Sequence, residues 1–405
     1  MSQNNEITTT GTTYLGIESP FGATPGSMVR MFPRRGGTRK ETQPAVSSET
    51  MTTHGQVRDA SVLAYKACES SMMFDARVHA SLIDDAASPT RSWLGVPLAG
   101  ILGGESLHAG SKIVAGTTAT VLKVTSGHGA RFNVLDGVLV TVAGVNEFAV
   151  IKSIAGDDLT LLFALSGVPA NGADVFACAA YFPKDQHSDS LTFQHGRAQN
   201  ANSQWTHNGC TGSLSIDLPR GGMVGLGVNL QGANWVGPSA QSIDVTTPGT
   251  QTMSAPFANV RAFQLLQPVS TTTRTHVPFE SISIGLECGM QLIDDVGGTS
   301  EGRVGAMRTN FSASADVVVR NDPAWRSGWD PSTVYQLVHC VYSGSGTGRR
   351  CVAAVLFGTL DEIPDYQPGS NDRGLTQLKF RGFGGAANPS ATTDQSRSQF
   401  LWMMG

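Results

Sequence analysis

The stretch between residues 187 and 210 holds the densest set of side chains with the chemistry to bind a metal ion, namely His187, His195, His207 and Cys210. Zinc sites usually contain a CxxC pair or two histidines one helical turn apart, and neither spacing occurs in this stretch. The spacing therefore argues against a metal centre, and we expect the protein to need no metal or other cofactor.

Acidic pairs and a glycine-rich segment are the other places where chemistry could occur. Asp84-Asp85, Asp157-Asp158 and Asp294-Asp295 are adjacent carboxylates, which are usually solvated on turns and point to opposite faces on a strand. The glycine-rich segment 344–348 lacks the Lys-Ser/Thr of a phosphate-binding loop, and no GxSxG nucleophile elbow occurs. We therefore predict that the chain is not an enzyme.

Composition favours a β-rich structural protein. The chain has 405 residues, which is too long for one ordinary core, with 47 glycines and only 15% charged residues. This mixture suits sheets with many turns and surfaces buried against other subunits, although a glycine-rich soluble β-protein would share it. The formal net charge of −4 argues against a strongly basic nucleic-acid binder.

No secretory or membrane segment is predicted. Residues 1–13 are polar, and the apolar runs, of which 351–357 is among the longest, are too short to cross a bilayer. The six cysteines are far apart in the sequence, so we expect reduced and mostly buried thiols. We therefore expect synthesis in a cytoplasm and no membrane partner.

The pattern of strands predicts an insertion and two related halves. Short alternating runs at 119–124, 138–142, 148–154 and 159–163 indicate a small barrel of about five strands. Residues 213–223 and 281–290 both alternate Ser with aliphatic side chains and end in a glycine turn and Met. This repeat indicates a diverged duplication, and chance similarity between two amphipathic strands is the alternative.

Two helices are also predicted, each with proline in its first turn. The first begins at Ser88-Pro89 and ends at Gly103-Gly104, and the second begins at Asp330-Pro331 and runs through Val341. Apolar residues follow a helical stripe in both. Each half thus combines strands with one helix.

These patterns divide the chain into five parts. They are an N-terminal arm and long loop at 1–59, a first domain at 60–106 with 186–270, an inserted small β-barrel at 107–185, a second domain at 271–383, and a C-terminal arm at 384–405. The first arm contains a basic group and short strands near 28–32, and the last arm ends in Phe400-Leu401-Trp402. We expect both arms to reach other subunits.

Several short motifs, taken in order, resemble those of the tail tube (major tail) proteins of long, non-contractile-tailed bacteriophages, the siphophages. They lie at 14–18 with Phe21-Gly22, at 190–235, at 363–366 and at 372–376. The segment 190–235 includes Asn208-Gly209-Cys210 and the hairpin that follows. The resemblance covers both halves and does not clearly extend to the inserted barrel.

The resemblance implies a mainly β fold with two tandem tail-tube-type β-sandwich or barrel domains, each with one α-helix, beside the insertion and extended arms. It implies a structural virion protein, made in the bacterial host cytoplasm, whose rings stack into the tail tube and give the genome a channel into the host. Family members with a doubled domain form homotrimers that imitate a six-domain ring; a hexamer is the alternative. The implied partners are further copies, the tail terminator, tape-measure and distal-tail proteins, and double-stranded DNA in passage.

Two groups of residues are candidate sites. Acids at polar strand positions would line the channel and keep phosphates from binding, namely Asp217, Glu287 and Asp316, although a solvated sheet face is the alternative. Contacts between rings would come from the arms, namely Arg34, Arg35, Arg39, Lys40, Phe400 and Trp402. Two other functions remain open, a distal-tail or baseplate hub ring and a host-binding tail module that uses the inserted barrel.

Overall fold

A computed structural model of the chain describes residues 3–7, 11–34, 37–43, 45–46, 49–52, 55–58, 62–63, 66–77, 91–185, 189–197, 203–219, 221–240, 257, 262–274, 276–294, 303–320, 329–343, 350–361, 366–367, 375–384 and 393–405. Over these residues the fold is mainly β, as predicted. The helices described there are α1 (Gly95–Leu102) and α2 (Asp394–Arg397), with a 3-10 turn at Gly129–Arg131.

The largest group of strands, here called the wide sheet, is antiparallel throughout. Its strands, in spatial order, are β1 (Gln3–Ile7), β4 (Gly37–Thr42), β9 (Ala67–Asp75), β20 (Gly225–Gly232), β19 (Gln204–Leu218), β23 (Phe279–Asp294), β24 (Arg303–Arg320) and β28 (Leu375–Gly382). Successive residues of a strand point to opposite faces. In β9, for example, Met72 and Phe74 are buried, whereas Ser71 and Met73 are exposed.

A second group, the central sheet, is buried on both faces. Its strands, in spatial order, are β22 (Ala262–Pro268), β25 (Tyr335–Ser343), β26 (Arg350–Leu360), β29 (Phe400–Met404), β17 (Ala179–Pro183) and β10 (Gly103–Ser106). In β29, the side chain of Trp402 belongs to the core between the central sheet and the wide sheet. The side chain of Met403 belongs to a second core, between the central sheet and the insertion at residues 107–185. Burial on both faces explains why β29 and the run 351–357 are almost wholly apolar.

A third group, the side sheet, branches from the wide sheet at β19. It contains β3 (Val29–Met31), β2 (Gly11–Glu18), β18 (Ser190–Arg197), the first half of β19, and β21 (Asn234–Ser239). Helix α1 packs against this group and against β17, and every residue of α1 is buried. It ends at Gly103, whose φ of 87° favours glycine, as the sequence predicted. The helix begins later than predicted: the predicted start, Ser88-Pro89, lies outside the described residues, but residues 91–94 are described and are not helical.

The insertion forms a separate six-stranded sheet on the second core. Its strands, in spatial order, are β11 (Ser111–Lys112), β16 (Asp174–Ala177), β13 (Gly137–Val142), β14 (Val145–Ala155), β15 (Asp158–Leu161) and β12 (Val121–Lys123). All four predicted runs fall on strands, namely β12, β13, β14 and β15, and the strand count is six where about five were expected. The molecule is therefore layered, with the central sheet between the wide sheet and the insertion.

The second predicted helix is wrong. Its apolar stripe lies in β25, which pairs with β22 and β26. Leu337 and Val341 face one core, and Val338 and Cys340 face the other. A strand that is buried on both faces has apolar residues at spacings that also occur on a helix, so periodicity alone did not separate the two.

The prediction that Phe400 and Trp402 belong to an arm contacting another ring is also wrong. Both side chains are 0% exposed, and β29 pairs with β17 on one side and β26 on the other. They pack inside this chain because the apolar end of the segment completes the central sheet. The apolar character was visible in the sequence, but its partner was not.

Part of the predicted N-terminal arm likewise belongs to the sheets. Strand β2 pairs with β18 along its whole length, and Leu15 within it is 0% exposed. Strand β4 pairs with β9 and β1. Beyond β4, short pairs continue the same hairpin, namely β5 (Ala45–Val46) with β8 (Val62–Leu63) and β6 (Glu49–Thr52) with β7 (Gly55–Arg58).

The two repeated strands are direct neighbours in the wide sheet. β19 and β23 pair antiparallel, with Leu214 opposite Leu286 and Ile216 opposite Ile284. All four side chains are buried in the same core. The pairing of these two similar strands therefore joins the strands on either side of them into one continuous sheet within a single chain.

Two long hairpins extend from the same end of the wide sheet. Because neighbouring strands are antiparallel throughout, β4 and β23 run in the same direction, and each turns back at that end. The first hairpin is β4–β9 with its continuation through β5–β8 and β6–β7. The second is β23–β24, which stays paired out to Asp294 and Arg303, far beyond the last β19–β23 pair at Leu286.

The buried position of Trp402 predicts a large loss of stability on truncation. Trp402→Ala should lower the free energy of unfolding by about 3–5 kcal/mol, because it leaves a cavity between two sheets. Phe383→Ala is the matched control, since Phe383 is 50% exposed and should change stability by less than about 0.5 kcal/mol. Urea denaturation of both variants measures the difference, and equal small effects would show that β29 is not core.

Candidate functional site

The outer face of the wide sheet brings two of the predicted channel acids together. Asp217 in β19 and Asp316 in β24 both stand opposite Ser283 in β23, and all three are exposed. The two carboxylates are thus separated by two strand spacings, about 10 Å. Lys379 in β28 stands opposite Asp316, and Arg381 in the same strand stands opposite Ser314. Basic side chains therefore flank the acids on this face.

Glu287, the third predicted acid, lies on the same strand as Ser283 and is also exposed. It stands opposite Ser312, at the point where the second hairpin leaves the wide sheet. The three acids therefore share one surface: all three occupy outward positions of paired strands. This placement agrees with the predicted polar strand positions, and the lining of a channel remains a proposal.

Between the acids the outer face is made of very small side chains. Gly227, Ser215, Gly285 and Ser314 stand opposite one another in a single row across four strands. Glycine is depleted in strands because it has no side chain to pack, and an ordinary solvated face carries larger polar residues. Strand propensity therefore does not account for this row. The result is a smooth surface over these four strands, with the larger side chains of Met73 and Arg381 at its two ends.

The basic residues predicted as ring contacts have separate environments. Arg34 donates to Asp75 at 2.5 Å, and Lys40 lies 3.6 Å from Glu69. Arg35 lies outside the described residues. Because Arg34 and Lys40 keep part of their surface exposed, both remain candidates for contacts with another copy.

Arg39 is the exception among the basic residues, and its prediction as a surface contact is wrong. It is 4% exposed, with its guanidinium 4.6 Å from the centre of the Trp205 ring and 3.5 Å from Glu41 Oε1. Alternation along β4 turns Arg39 inward, where it lies between the wide and side sheets. The sequence showed four nearby cations but not which face each would occupy.

A buried polar cluster at the root of the first hairpin was missed by the sequence analysis. His207 Nε2 lies 2.9 Å from Glu41 Oε1, and His207 Nδ1 lies 2.9 Å from Ser70 Oγ. Cys68 and Cys210 complete the cluster. His207 was singled out in the sequence, but its partners come from β4 and β9, which are remote along the chain.

The cluster favours a negatively charged Cys68 thiolate beside a positively charged His207 imidazolium. Burial opposes a charge on Cys68, but hydrogen bonds with Cys210 and His207 outweigh it and lower the pKa of the thiol to about 6. Burial also opposes a charge on His207, but hydrogen bonds with Cys68 and Glu41 raise the pKa of the imidazole to about 9. The Asn234 carbonyl, 3.2 Å from Cys68 Sγ, works against the thiolate because it can only accept a hydrogen.

The two pKa shifts cancel in their effect on the pH dependence of stability near neutral pH. Taken alone, the contribution of the Cys68 thiolate is lost as pH falls through about 6, and that of the His207 imidazolium as pH rises through about 9. The ordinary pKa values are 9.0 and 6.5 respectively. Between pH 6.5 and 9 the folded pair and the unfolded pair each hold one proton, so the pair adds no pH dependence to unfolding.

Glu41, His207 and Ser70 follow the hydrogen-bond order of a hydrolase triad, but the geometry serves packing. Ser70 is 3% exposed, and the alternation of β9 points its hydroxyl into the interior beside Met72. A nucleophile must reach its substrate at an open surface. The chain of hydrogen bonds instead ties β4 and β9 to the side sheet.

Two pairs of cysteines meet across a glycine, which lies within β20 for one pair and directly after β29 for the other. A Cβ on Gly232 would lie 2.4 Å from Cys68 Sγ and 2.9 Å from Cys210 Sγ. Because β20 separates β9 from β19, these cysteine Cα atoms are about 10 Å apart, beyond the roughly 7 Å that a disulfide spans. Cys178 and Cys351, whose sulfurs are 4.0 Å apart, flank β29 in the same way. All six cysteines are buried thiols.

The histidines singled out in the sequence do not assemble a metal site in the described part of the chain. His195 is buried beside Thr13, with Thr13 Oγ1 3.2 Å from His195 Nδ1, and His187 lies outside the described residues. Over the residues that the structure describes, no group of three or more His, Cys, Asp or Glu could hold a metal ion.

No protein-family model matches this chain, and no curated protein is significantly similar to it. Within the described ranges, no helix is both long and apolar enough to cross a membrane. Functional inference for this chain therefore depends on its own surfaces.

The cluster predicts that Cys68 carries a thiolate at neutral pH. The far-ultraviolet thiolate absorbance of the wild type minus that of Cys68→Ser should titrate with a midpoint near pH 6. Cys178→Ser is the control, because a hydrogen bond with Cys351, together with burial, raises the pKa of Cys178 and keeps this thiol protonated at neutral pH. A difference signal that appears only near pH 9 would mean that the Asn234 carbonyl outweighs the hydrogen bonds from Cys210 and His207 and keeps the Cys68 thiol protonated.

Proposed function

We propose that this chain is a structural, ring-forming subunit of a siphophage-like tail tube, with no catalytic role of its own. The observation that carries the proposal is the continuous antiparallel wide sheet, from which two long hairpins extend at the same end. A subunit that must pair sideways within a ring and also touch the next ring needs this combination. Each hairpin would reach the ring stacked on that end.

Open strand edges support assembly through backbone pairing. From Met290 to Asp294, among the described strands, the pairs of β23 join it only to β24. An unpaired strand edge is a template for another chain, and a closed ring removes the liability. We infer that copies of this chain satisfy such edges for one another.

The outer face of the wide sheet supports the channel role. Asp217, Glu287 and Asp316 share that face with the row of glycines and serines. Small side chains leave few obstacles to a passing polymer, and carboxylates disfavour the ion pairs that give DNA-binding proteins their affinity. DNA would therefore pass along the part of this face formed by β19, β23 and β24, between Met73 of β9 and Lys379 of β28, without being held.

The tandem-domain organisation belongs to the same proposal. We propose that the repeated strands β19 and β23 mark two tail-tube-type halves joined side by side, so that three copies imitate a six-domain ring. The insertion, on the far side of the central sheet from the wide sheet, would then lie on the outside of the tube. Tail terminator, tape-measure and distal-tail proteins would bind the finished tube, and the chain would reside in the virion tail.

Negative-stain microscopy of the purified full chain tests the proposal directly. We expect rings, or hollow polymers made of stacked rings, at high protein concentration, because the hairpins and open edges are present in every copy. Light scattering on the same sample should give a mass that is a multiple of three chains. A particle that stays monomeric at high concentration by both measurements would rule out the ring.

Charge reversal of the three acids tests the channel role. The triple variant Asp217→Lys, Glu287→Lys and Asp316→Lys should acquire affinity for duplex DNA that the wild type lacks, because each new lysine can pair with a phosphate. The affinity should fall with salt at a slope of roughly −1 per contact. Fluorescence anisotropy of a labelled duplex at two salt concentrations measures both quantities.

The control for this experiment makes the same charge change away from the wide sheet's outer face. Asp157, Asp158 and Asp174 lie in the insertion, and each side chain is partly exposed. The triple lysine variant at these positions should bind DNA much more weakly. Equal binding by both variants would show that net charge, and not the outer face of the wide sheet, decides the affinity.

A further inference from the structure

Two of the described exposed apolar side chains stand together near the tip of the second hairpin. Ile293 is 43% exposed and Met307 is 53% exposed. Ile293 stands opposite Gly305, and Gln291 stands opposite Met307, so the two apolar side chains are diagonal neighbours on one face. Isolated exposed apolar residues are normal on protein surfaces, but adjacent ones on a projecting element mark a contact site. We call Ile293 and Met307 the tip patch.

A second pair of exposed apolar side chains lies at the base of the wide sheet. Met73 is 37% exposed and Met223 is 45% exposed. Arg34 joins them, with Nη1 3.3 Å from Met73 Sδ and Nη2 3.5 Å from the Met223 carbonyl oxygen, while its Nε donates to Asp75. We call Met73, Met223 and Arg34 the base patch.

The two patches lie towards opposite ends of the wide sheet. Met73 belongs to the row of residues that reaches Gly285 in β23 through Gly227 and Ser215. From Gly285 the strand continues away from the base for eight residues to Ile293, a rise of about 27 Å. Met223 lies in the turn between β19 and β20, at the end opposite the hairpin tips. The patches therefore cannot meet within one chain.

We propose that the tip patch of one copy docks on the base patch of the next copy. The inference rests on the proposed function and names the residues by which one ring contacts another. Each copy carries both halves of the contact, and a heterologous contact of this kind does not close on itself, so it propagates along an axis. Apolar side chains meet at the centre, and the Arg34–Asp75 pair forms a polar rim beside them.

Geometry favours a second copy of this chain as the occupant. The tip patch stands on a hairpin that extends past its neighbours in the wide sheet, which suits insertion against a facing surface. The base patch is held by the Arg34 contacts to Met73, Met223 and Asp75, so it offers a preformed receptor. The tip patch and the base patch each present two exposed apolar side chains, so the two surfaces match in chemical character.

Charge substitutions on the full chain test the contact. Met307→Lys should raise the concentration at which polymers form by at least about tenfold, because it removes a buried methionine and places a charge in the contact. Met223→Glu should have the same effect. The double variant should restore polymers, since lysine and glutamate then face each other across every contact. Val168→Lys, at a position that is 61% exposed in the insertion, is the control and should polymerise like the wild type.

The outcomes separate this inference from the proposed function. Single variants that form rings without stacking, with recovery in the double variant, would support it. Single variants that polymerise like the wild type would overturn the contact while leaving the ring-forming function in place. Single variants that fail without recovery in the double variant would overturn the pairing of these two patches. A wild type that forms neither rings nor polymers would overturn both proposals.

Discussion

The structure depends above all on the antiparallel pairing of β19 with β23. This pairing joins the two strands whose sequences resemble each other, and it buries Leu214, Ile216, Ile284 and Leu286 in one core. Backbone hydrogen bonds between these strands leave no open edge between them along the paired residues. The outer face consequently runs without a break from the first hairpin to the second, and the acids on either side of the junction share it.

The central sheet places a second constraint on the fold. Because both of its faces are buried, it must match the wide sheet on one side and the insertion on the other. The insertion is held accordingly: the backbone N–H of Phe148 donates to the Tyr342 hydroxyl at 3.0 Å, and Arg274 pairs with Glu147 and stacks on Phe263. It is a third layer, packed on the body of the molecule.

The two hairpins share a direction but have different roots. The root of the first hairpin contains the polar cluster of Glu41, Ser70, Cys68 and His207, which ties it to the side sheet. The proton that Cys68 loses is balanced by the proton that His207 gains, so this root keeps its contribution across the neutral range. At the root of the second hairpin, Glu287 is exposed and Cys288 is buried in the main core.

Local alternation was sufficient to predict much of this protein. It indicated a mainly β fold, the insertion strands β12, β13, β14 and β15, and outward positions for Asp217, Glu287 and Asp316. The outward positions follow from the two-residue period of a strand with one buried face, whereas β13 and β14 contain short apolar runs bounded by turns, and both signals are written in consecutive residues. The glycine at the end of α1 was predictable for the same reason, since its positive φ is a local requirement.

Partners of strands were decided only by the tertiary structure. The segment containing Phe400 and Trp402 was apolar in the sequence, but only the gap between β17 and β26 made it core. Burial on both faces removed the alternation of β25, so its apolar residues resembled a helix. The inward turn of Arg39 and the meeting of Glu41, Cys68 and His207 required strands that are distant along the chain. Such contacts depend on non-local packing and register, which no local period encodes.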